Sequence, residues 1–333
     1  MSVSNLQLEL FQHLKSKMPG EKPMVEQLAA LLNISTDSAY RRMRGEKLMS
    51  LDEVHRVCAT YKISLDHLMN LQADAFVFSG GFVQPATFDF ANYLDSIARN
   101  MKAMLAFKSR KIFYICKDIP LFHHYHFREI AAFKHYFWMK AYIQNEEFAR
   151  KKFSLSDYPD EVFETGRKAL HYYTQLDTTE IWNIENINST LRQIAYYHDT
   201  GLFKNEQDVF RIYEALEMLL RKLERQADEG RHFILDSTDG TETGSYQMYY
   251  NEVFLGDNSI LVNLDGNKMV HLVHNLFNYM VTRDINFCEY TNDYVQNLMR
   301  KSTLISTVSE KERARFFKNL RNRISSRKEN LKA

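Results

Sequence analysis

Residues 25–69 read VEQLAALLNISTDSAYRRMRGEKLMSLDEVHRVCATYKISLDHLM, and this stretch decides how the chain begins to fold. Leu28, Ala29, Leu32 and Ile34 fall at helical spacing and give a short helix one apolar face, with Ala29 small enough to let a second helix come close. Asn33 interrupts the pattern. Asn tolerates the left-handed backbone that a tight corner between helices needs, and Ser35 is positioned to cap a second helix. That helix is expected over residues 36–44, with Ala39 and Met43 inward and Thr36, Asp37, Ser38, Arg41, Arg42 and Arg44 outward. Gly45 supplies its C-cap, and Ser50 with Glu53 has the spacing of a capping box for a further helix striped by Leu51, Val54, Val57, Cys58 and Tyr61. Ser64 caps a last short helix carrying Leu65, Leu68 and Met69. With an opening helix striped by Leu6, Leu10, Phe11 and Leu14, five helices are expected, enough for a small core.

In order and spacing these residues resemble the Cro/C1-type helix-turn-helix of phage repressors and the Xre family. The resemblance is carried by Leu28-Ala29, Asn33-Ile34-Ser35, Arg44-Gly45-Glu46, Ser50-Leu51 and Ile63-Ser64-Leu65-Asp66, and it covers residues 5–70. It implies that the third helix enters the major groove of double-stranded DNA. Thr36, Asp37, Ser38 and Arg41 would then lie near base edges, and Arg42, Arg44 and Lys47 near phosphates. Two positions depart from the family pattern: Val25 stands where a Gln phosphate clamp is common, and Met43 stands where Glu usually precedes the Arg-Gly pair. Phosphate contact from the second helix is therefore not implied.

Charge sharpens this expectation. Residues 1–70 hold 9 Lys or Arg and 8 Asp or Glu, a net of +1, so no broad basic field supports tight non-specific binding. The footprint is local: Arg41, Arg42, Arg44 and Lys47, opposed by Asp37 and Glu46. One such module binds weakly, which implies a homodimer. The competing expectation is a helical module that docks another protein, as in an antitoxin or a peptide-signalling partner.

The whole chain carries a net charge of +1 over 333 residues, which excludes a general polyanion-coating protein. With 45% hydrophobic and 26% charged residues it reads as soluble and globular, with room for two or three domains. No apolar run reaches eighteen residues and no signal pattern opens the chain, so a cytoplasmic protein with no membrane partner is expected. Cys58, Cys116 and Cys288 are odd in number and widely spaced, which fits reduced buried thiols.

Residues 73–86, with Ser79-Gly80-Gly81 and Pro85, read as a linker or extended segment. A mainly helical domain for dimerisation and sensing is expected over 87–230. It starts with a helix striped by Phe90, Tyr93, Leu94, Ile97, Met101, Met104 and Leu105, and residues 111–117 (KIFYICK) read as a strand. Aromatic density over 121–143 marks a large core or a pocket wall. His123, His124, His126 and His135 fall in that stretch without the spacing of a metal site, and His271 and His274 form an isolated HxxH, so no metal is expected. Residues 159–230 read as helical throughout, with a corner at Gly201. Val209, Tyr213, Leu216, Leu220, Leu223 and Ala227 step by four and three, and Ile212 and Leu219 widen that stripe toward burial in a bundle rather than a coiled-coil seam.

Residues 231–333 read as an α+β region. Strands are expected at 249–254 and 259–264, joined as a hairpin, and helices at 269–280, 287–299 and 310–324. The last helix is basic, with nine Lys or Arg against three Glu over 309–333, and carries Phe316, Phe317, Leu320 and Ile324 on one face. No Gly-rich phosphate loop, GxSxG or other catalytic constellation occurs, so neither an enzyme nor a cofactor is expected. The expected whole is a mainly α one-component transcription regulator. Its head is a five-helix Cro/C1-type domain over 1–72, and the remainder pairs and senses a small molecule or peptide.

Overall fold

The computed structural model describes residues 3–17, 23–65, 76–233, 243–253, 256–275 and 277–331. The chain divides into two compact units, Met1–Val77 and Phe78–Ala333. Helix accounts for 57% of the described residues, and among them the second unit adds a mixed seven-stranded sheet, so the mainly α expectation holds.

The first unit contains α1 (Val3–Lys17), α2 (Met24–Leu32), α3 (Thr36–Met43) and α4 (Leu51–Tyr61). Leu10, Phe11 and Leu14 of α1 bury against Val25, Leu28 and Leu32 of α2, Ala39 of α3 and Val57 of α4. Val25, where the resemblance has Gln, is thus a core residue. Asn33 takes φ 56° and ψ 50°, the left-handed corner expected of it, and Gly45 takes φ 74°. Leu51 departs from expectation: it is 83% exposed. As the first residue of α4 its side chain points back past the helix end, beyond the neighbours that cover Val54 and Val57. Residues 66–75, where Leu68 and Met69 of the fifth helix were expected, lie outside the described residues.

The second unit runs α5 (Phe90–Met104), β1 (Arg110–Ile115), α6 (Leu121–His124), α7 (Arg128–Ala141), α8 (Glu146–Ala149), α9 (Asp160–Tyr173) and β2 (Asp177–Trp182). It continues with α10 (Asn188–Asp199), α11 (Glu206–Glu229), β3 (Tyr246–Tyr250), β4 (Ser259–Leu264), β5 (Asn267–Asn275), β6 (Asn278–Thr282), α12 (Ile285–Arg300), β7 (Thr303–Leu304) and α13 (Glu310–Asn330). The sheet order is β6-β5-β4-β1-β2-β3-β7, with β1, β2 and β3 parallel and the outer pairs antiparallel. Ile112, Tyr114, Trp182, Tyr246, Met248 and Val262 face the main helical core, while Ile115, Ile181, Leu261 and Val270 face Cys288 and Val295 of α12. The period of two along each strand separates these layers.

Several expectations change here. Residues 269–280 form β5 and β6 rather than a helix. Their apolar spacing suits either structure, but β-branched Val270 pairs with Leu261 of β4 and Thr282 of β6, and Val273 pairs with Tyr279 of β6. β2 interrupts the stretch expected to be helical over 159–230; Thr178, Thr179, Ile181 and Trp182 are buried on both faces of a central parallel strand. The hairpin of 249–254 with 259–264 does not form, because β3 pairs with β2 and β7 while β4 pairs with β1 and β5. The boundary expected at 230 therefore crosses a shared sheet: β1 and β2 lie before it, and their partners β3 and β4 after it. Residues 79–83, expected within a linker, run along β6, where Ser79 and Val281 exchange two 2.7 Å backbone bonds and Val83 N–H donates to Asn278 Oδ1 at 2.9 Å.

Other expectations stand. KIFYICK supplies β1 from Lys111 to Ile115, Gly201 forms the corner between α10 and α11, and the stripe from Val209 to Ala227 is fully buried inside its own unit. Phe316, Phe317, Leu320 and Ile324 are fully buried, and several cations of α13 pair with acids: Arg313 with Asp228, Arg321 with Glu224, Lys328 with Glu217 and Arg323 with Glu185. The three cysteines are free thiols; Cys116 and Cys288 are buried and Cys58 half-buried.

One buried carboxylate ties this unit together. Glu180 of β2 has no exposure and receives Tyr173 OH at 2.7 Å, Trp182 Nε1–H at 2.8 Å and Tyr246 OH at 2.9 Å, with His123 Nε2 2.8 Å away. Burial alone would raise its pKa, but His123 and these donors hold it down at about 2. His123 is thus absorbed in packing. Among the described residues no group of three His, Cys, Asp or Glu could hold a metal ion.

Candidate nucleic-acid interface

The local chemistry of α3 builds the candidate surface. Ser35 is extended, and its Oγ accepts the Ser38 N–H at 3.2 Å, which fixes the start of the helix directly after the Asn33 corner. Ala39 is fully buried and Met43 half-buried, so the opposite face presents Thr36, Asp37, Tyr40 and Arg41 to solvent. Arg44 and Lys47 follow in the exposed loop. Gln7 of α1 fastens that loop: its Nε2–H donates to the Arg42 and Lys47 carbonyls, at 2.7 Å and 2.9 Å, and its Oε1 accepts from Met49 N–H at 2.9 Å.

Arg42 does not face outward as expected; it is only 5% exposed. Its guanidinium forks onto Glu53, with Nη2 to Oε1 at 2.7 Å and Nε to Oε2 at 3.1 Å, while Nη1 donates to Ser38 Oγ at 2.6 Å. The physical reason is its position three residues after Ala39, on the inward face of α3. Glu53 serves twice, since it also closes the capping box with Ser50. Burial pushes the Glu53 carboxyl upward, but the Arg42 bond, the Ser50 amide and the charges of Arg42 and Lys47 outweigh it and hold the group below its usual range.

Thr36, Asp37 and Arg41 therefore share one exposed face, with Ser38 half-buried at its edge. Arg41 and Arg44 both lean on Glu46, at 3.8 Å and 3.1 Å, which orients them and offsets part of their charge. Two features of this surface lie outside the sequence expectation. Half-exposed Tyr40 lies on the same face between Asp37 and Arg41, where helical spacing alone could have located it. Gln7 is the other, and its partners lie 35 to 42 residues away, so no local pattern indicates it.

A family match agrees with this geometry. A model described as a BetR domain matches residues 9–111, an N-terminal helical domain of DNA-binding type such as a transcriptional regulator carries. The match takes in α2, α3 and α4, and continues through α5 into the start of β1. No curated protein and no solved structure matches the chain. No helix among the described residues is long and apolar enough to cross a membrane.

Proposed function

We propose that the chain is a sequence-specific, Cro/C1-type (Xre family) transcriptional regulator. It binds double-stranded operator DNA as a cytoplasmic homodimer, with no enzymatic activity and no cofactor, and its second unit serves pairing and ligand sensing. The observation that carries this reading is the exposed face of α3, where Thr36, Asp37, Tyr40 and Arg41 project from a helix held by the fork of buried Arg42 onto Glu53. A helix braced in this way keeps its orientation as side chains meet base edges. Arg44 and Lys47 flank it as phosphate contacts, and Arg42 acts by holding the helix instead of touching DNA. With a module charge of only +1, two heads roughly 34 Å apart are required for useful affinity. A ligand that alters pairing would then alter DNA affinity without touching DNA.

The test is to sequence genomic fragments retained by the purified full chain at low salt, where an inverted repeat is expected. Arg41→Ala should relax the selected sequence. Arg44→Ala with Lys47→Ala should weaken binding to all sequences and flatten its salt dependence by about two units of slope. Equal losses on operator and random DNA for Arg41→Ala would remove the base-reading role. A second reading, docking of another protein, draws on exposed apolar Tyr40, Leu48 and Leu51 beside the same helix. Failure to enrich any DNA sequence would favour it.

A further inference from the structure

Lys134 of α7 is a buried ammonium without a carboxylate partner. Its Nζ donates to Thr190 Oγ1 at 3.1 Å and Gln193 Oε1 at 2.9 Å, both neutral, and lies over the rings of Trp138 and Phe137. Only 4% of the residue is exposed, and it forms no ion pair with any described residue. An ammonium has three N–H donors, and two are used. Burying such a charge is costly, and the cost lowers its pKa to about 8 even though the charge of nearby Asp118 offsets part of it. Close by, His124 is buried with neither ring nitrogen hydrogen-bonded, and burial, Lys134 and His123 keep it neutral. A neutral imidazole has one N–H to offer.

Lys134 and His124 line the same cavity of about 410 Å³, just past the C-terminal end of β1. Its inner wall is Tyr114, Ile119, Trp138 and Phe277, all buried, and its outer residues include exposed Tyr142 and His274. Crevices beyond the carboxyl ends of parallel strands are where open α/β sheets take ligands. A second cavity of about 820 Å³, mostly apolar, shares the walls Tyr93, Tyr114, Leu121, Phe277 and Tyr279 with the first and continues toward Met101 and Met104.

We infer that these adjoining cavities bind an organic carboxylate, with its head at Lys134 and His124 and its apolar body against the shared aromatic walls. One ammonium and one neutral N–H suit a single negative charge. A phosphate would carry more charge into a lining that already holds Asp118, engaged by Ser189, and Asp257, paired with Lys117. His271 and exposed Arg283 lie on the apolar cavity, but a hydrated guanidinium gains less from a carboxylate than a buried ammonium does. As an effector site this rests on the sensing role proposed above. Binding itself is measured without DNA, so failure of that role and failure of the site are distinguishable.

The test is calorimetric titration of the full chain with octanoate and with octan-1-ol at pH 7. Octanoate should saturate at one per chain and bind about tenfold or more tighter than the alcohol. Lys134→Met should erase that preference while leaving alcohol binding intact, and His124→Phe, which keeps a ring, should weaken it several-fold with unchanged circular dichroism. Arg283→Ala should leave it in place. Equal affinities for acid and alcohol in the native chain, or no saturable binding of either, would overturn the inference, as would a preference that survives both Lys134→Met and His124→Phe.

Discussion

Glu53 in the small helical unit and Glu180 in the large one are both carboxylates held below their usual range, yet their partners come from different distances along the chain. Glu53 meets Arg42, eleven residues away, and stays partly open to solvent, its side chain 18% exposed. Glu180 meets His123, fifty-seven residues away, together with Tyr173, Trp182 and Tyr246, and is sealed. The first pair locks two neighbouring helices and so holds the exposed face of α3 in place. The second joins β2, β3, α6 and α9, so it fastens a core. A half-open pair loses part of its worth to solvent screening, while a sealed carboxylate must keep every donor or become a buried defect.

The comparison can be broken most forcefully at Glu180. Glu180→Gln would point an amide at donors that now meet a carboxylate, and about 3–5 kcal/mol of stability should be lost, read as a fall on the order of 10 °C in the melting temperature. Because its folded pKa of about 2 lies below the ordinary value of 4.5, its contribution is complete above pH 4.5. It should be lost as the pH falls toward 2, which acid titration of the native chain and the variant would measure. A variant as stable as the native chain would reduce Glu180 to an ordinary polar contact.

Lys134 shares the sign of this linkage but not its worth at neutral pH, since here the charged form is the one the fold disfavours. Its folded pKa of about 8 lies below the ordinary value of 10.5, so the unfolded chain binds its proton more tightly, and stability should rise with pH between these values. Lys134→Met in the ligand-free chain should therefore be more stable at pH 7, by on the order of 2 kcal/mol, with the difference vanishing above pH 10.5. Denaturant melts across pH would show this, and a destabilised variant would mean that Lys134 holds the fold.

Arg42 gives the smallest change in stability and ties it to DNA. Arg42→Met should cost about 1–2 kcal/mol and weaken operator binding, with Glu53→Gln giving a similar but non-additive loss in a double-mutant cycle. Additive effects would separate the two residues and undo the bracing argument.

How far each region could be read from sequence follows the same contrast. Asn33, Ser35, Gly45, Ser50 and Glu53 act on neighbours within a few residues, so the corner, the caps and the face of α3 were legible. Arg42 was misread because its charge suggested solvent while its position suggested the core. In the large unit, the buried stripes of α11 and α13 were legible as helical periodicity. β2 and the β5–β6 pair were not, because a short apolar run becomes a strand only when another strand offers it hydrogen bonds.

By itself the sequence determined the helical head, the exposed cations Arg41, Arg44 and Lys47, and the positions of the long amphipathic helices, since capping and periodicity are set within a few residues. Only the tertiary structure decided that Arg42 turns inward, that strands from both sides of residue 230 share one sheet, and that Lys134 and His124 meet in one cavity. These depend on burial and on partners distant in the chain, and no local pattern carries that information.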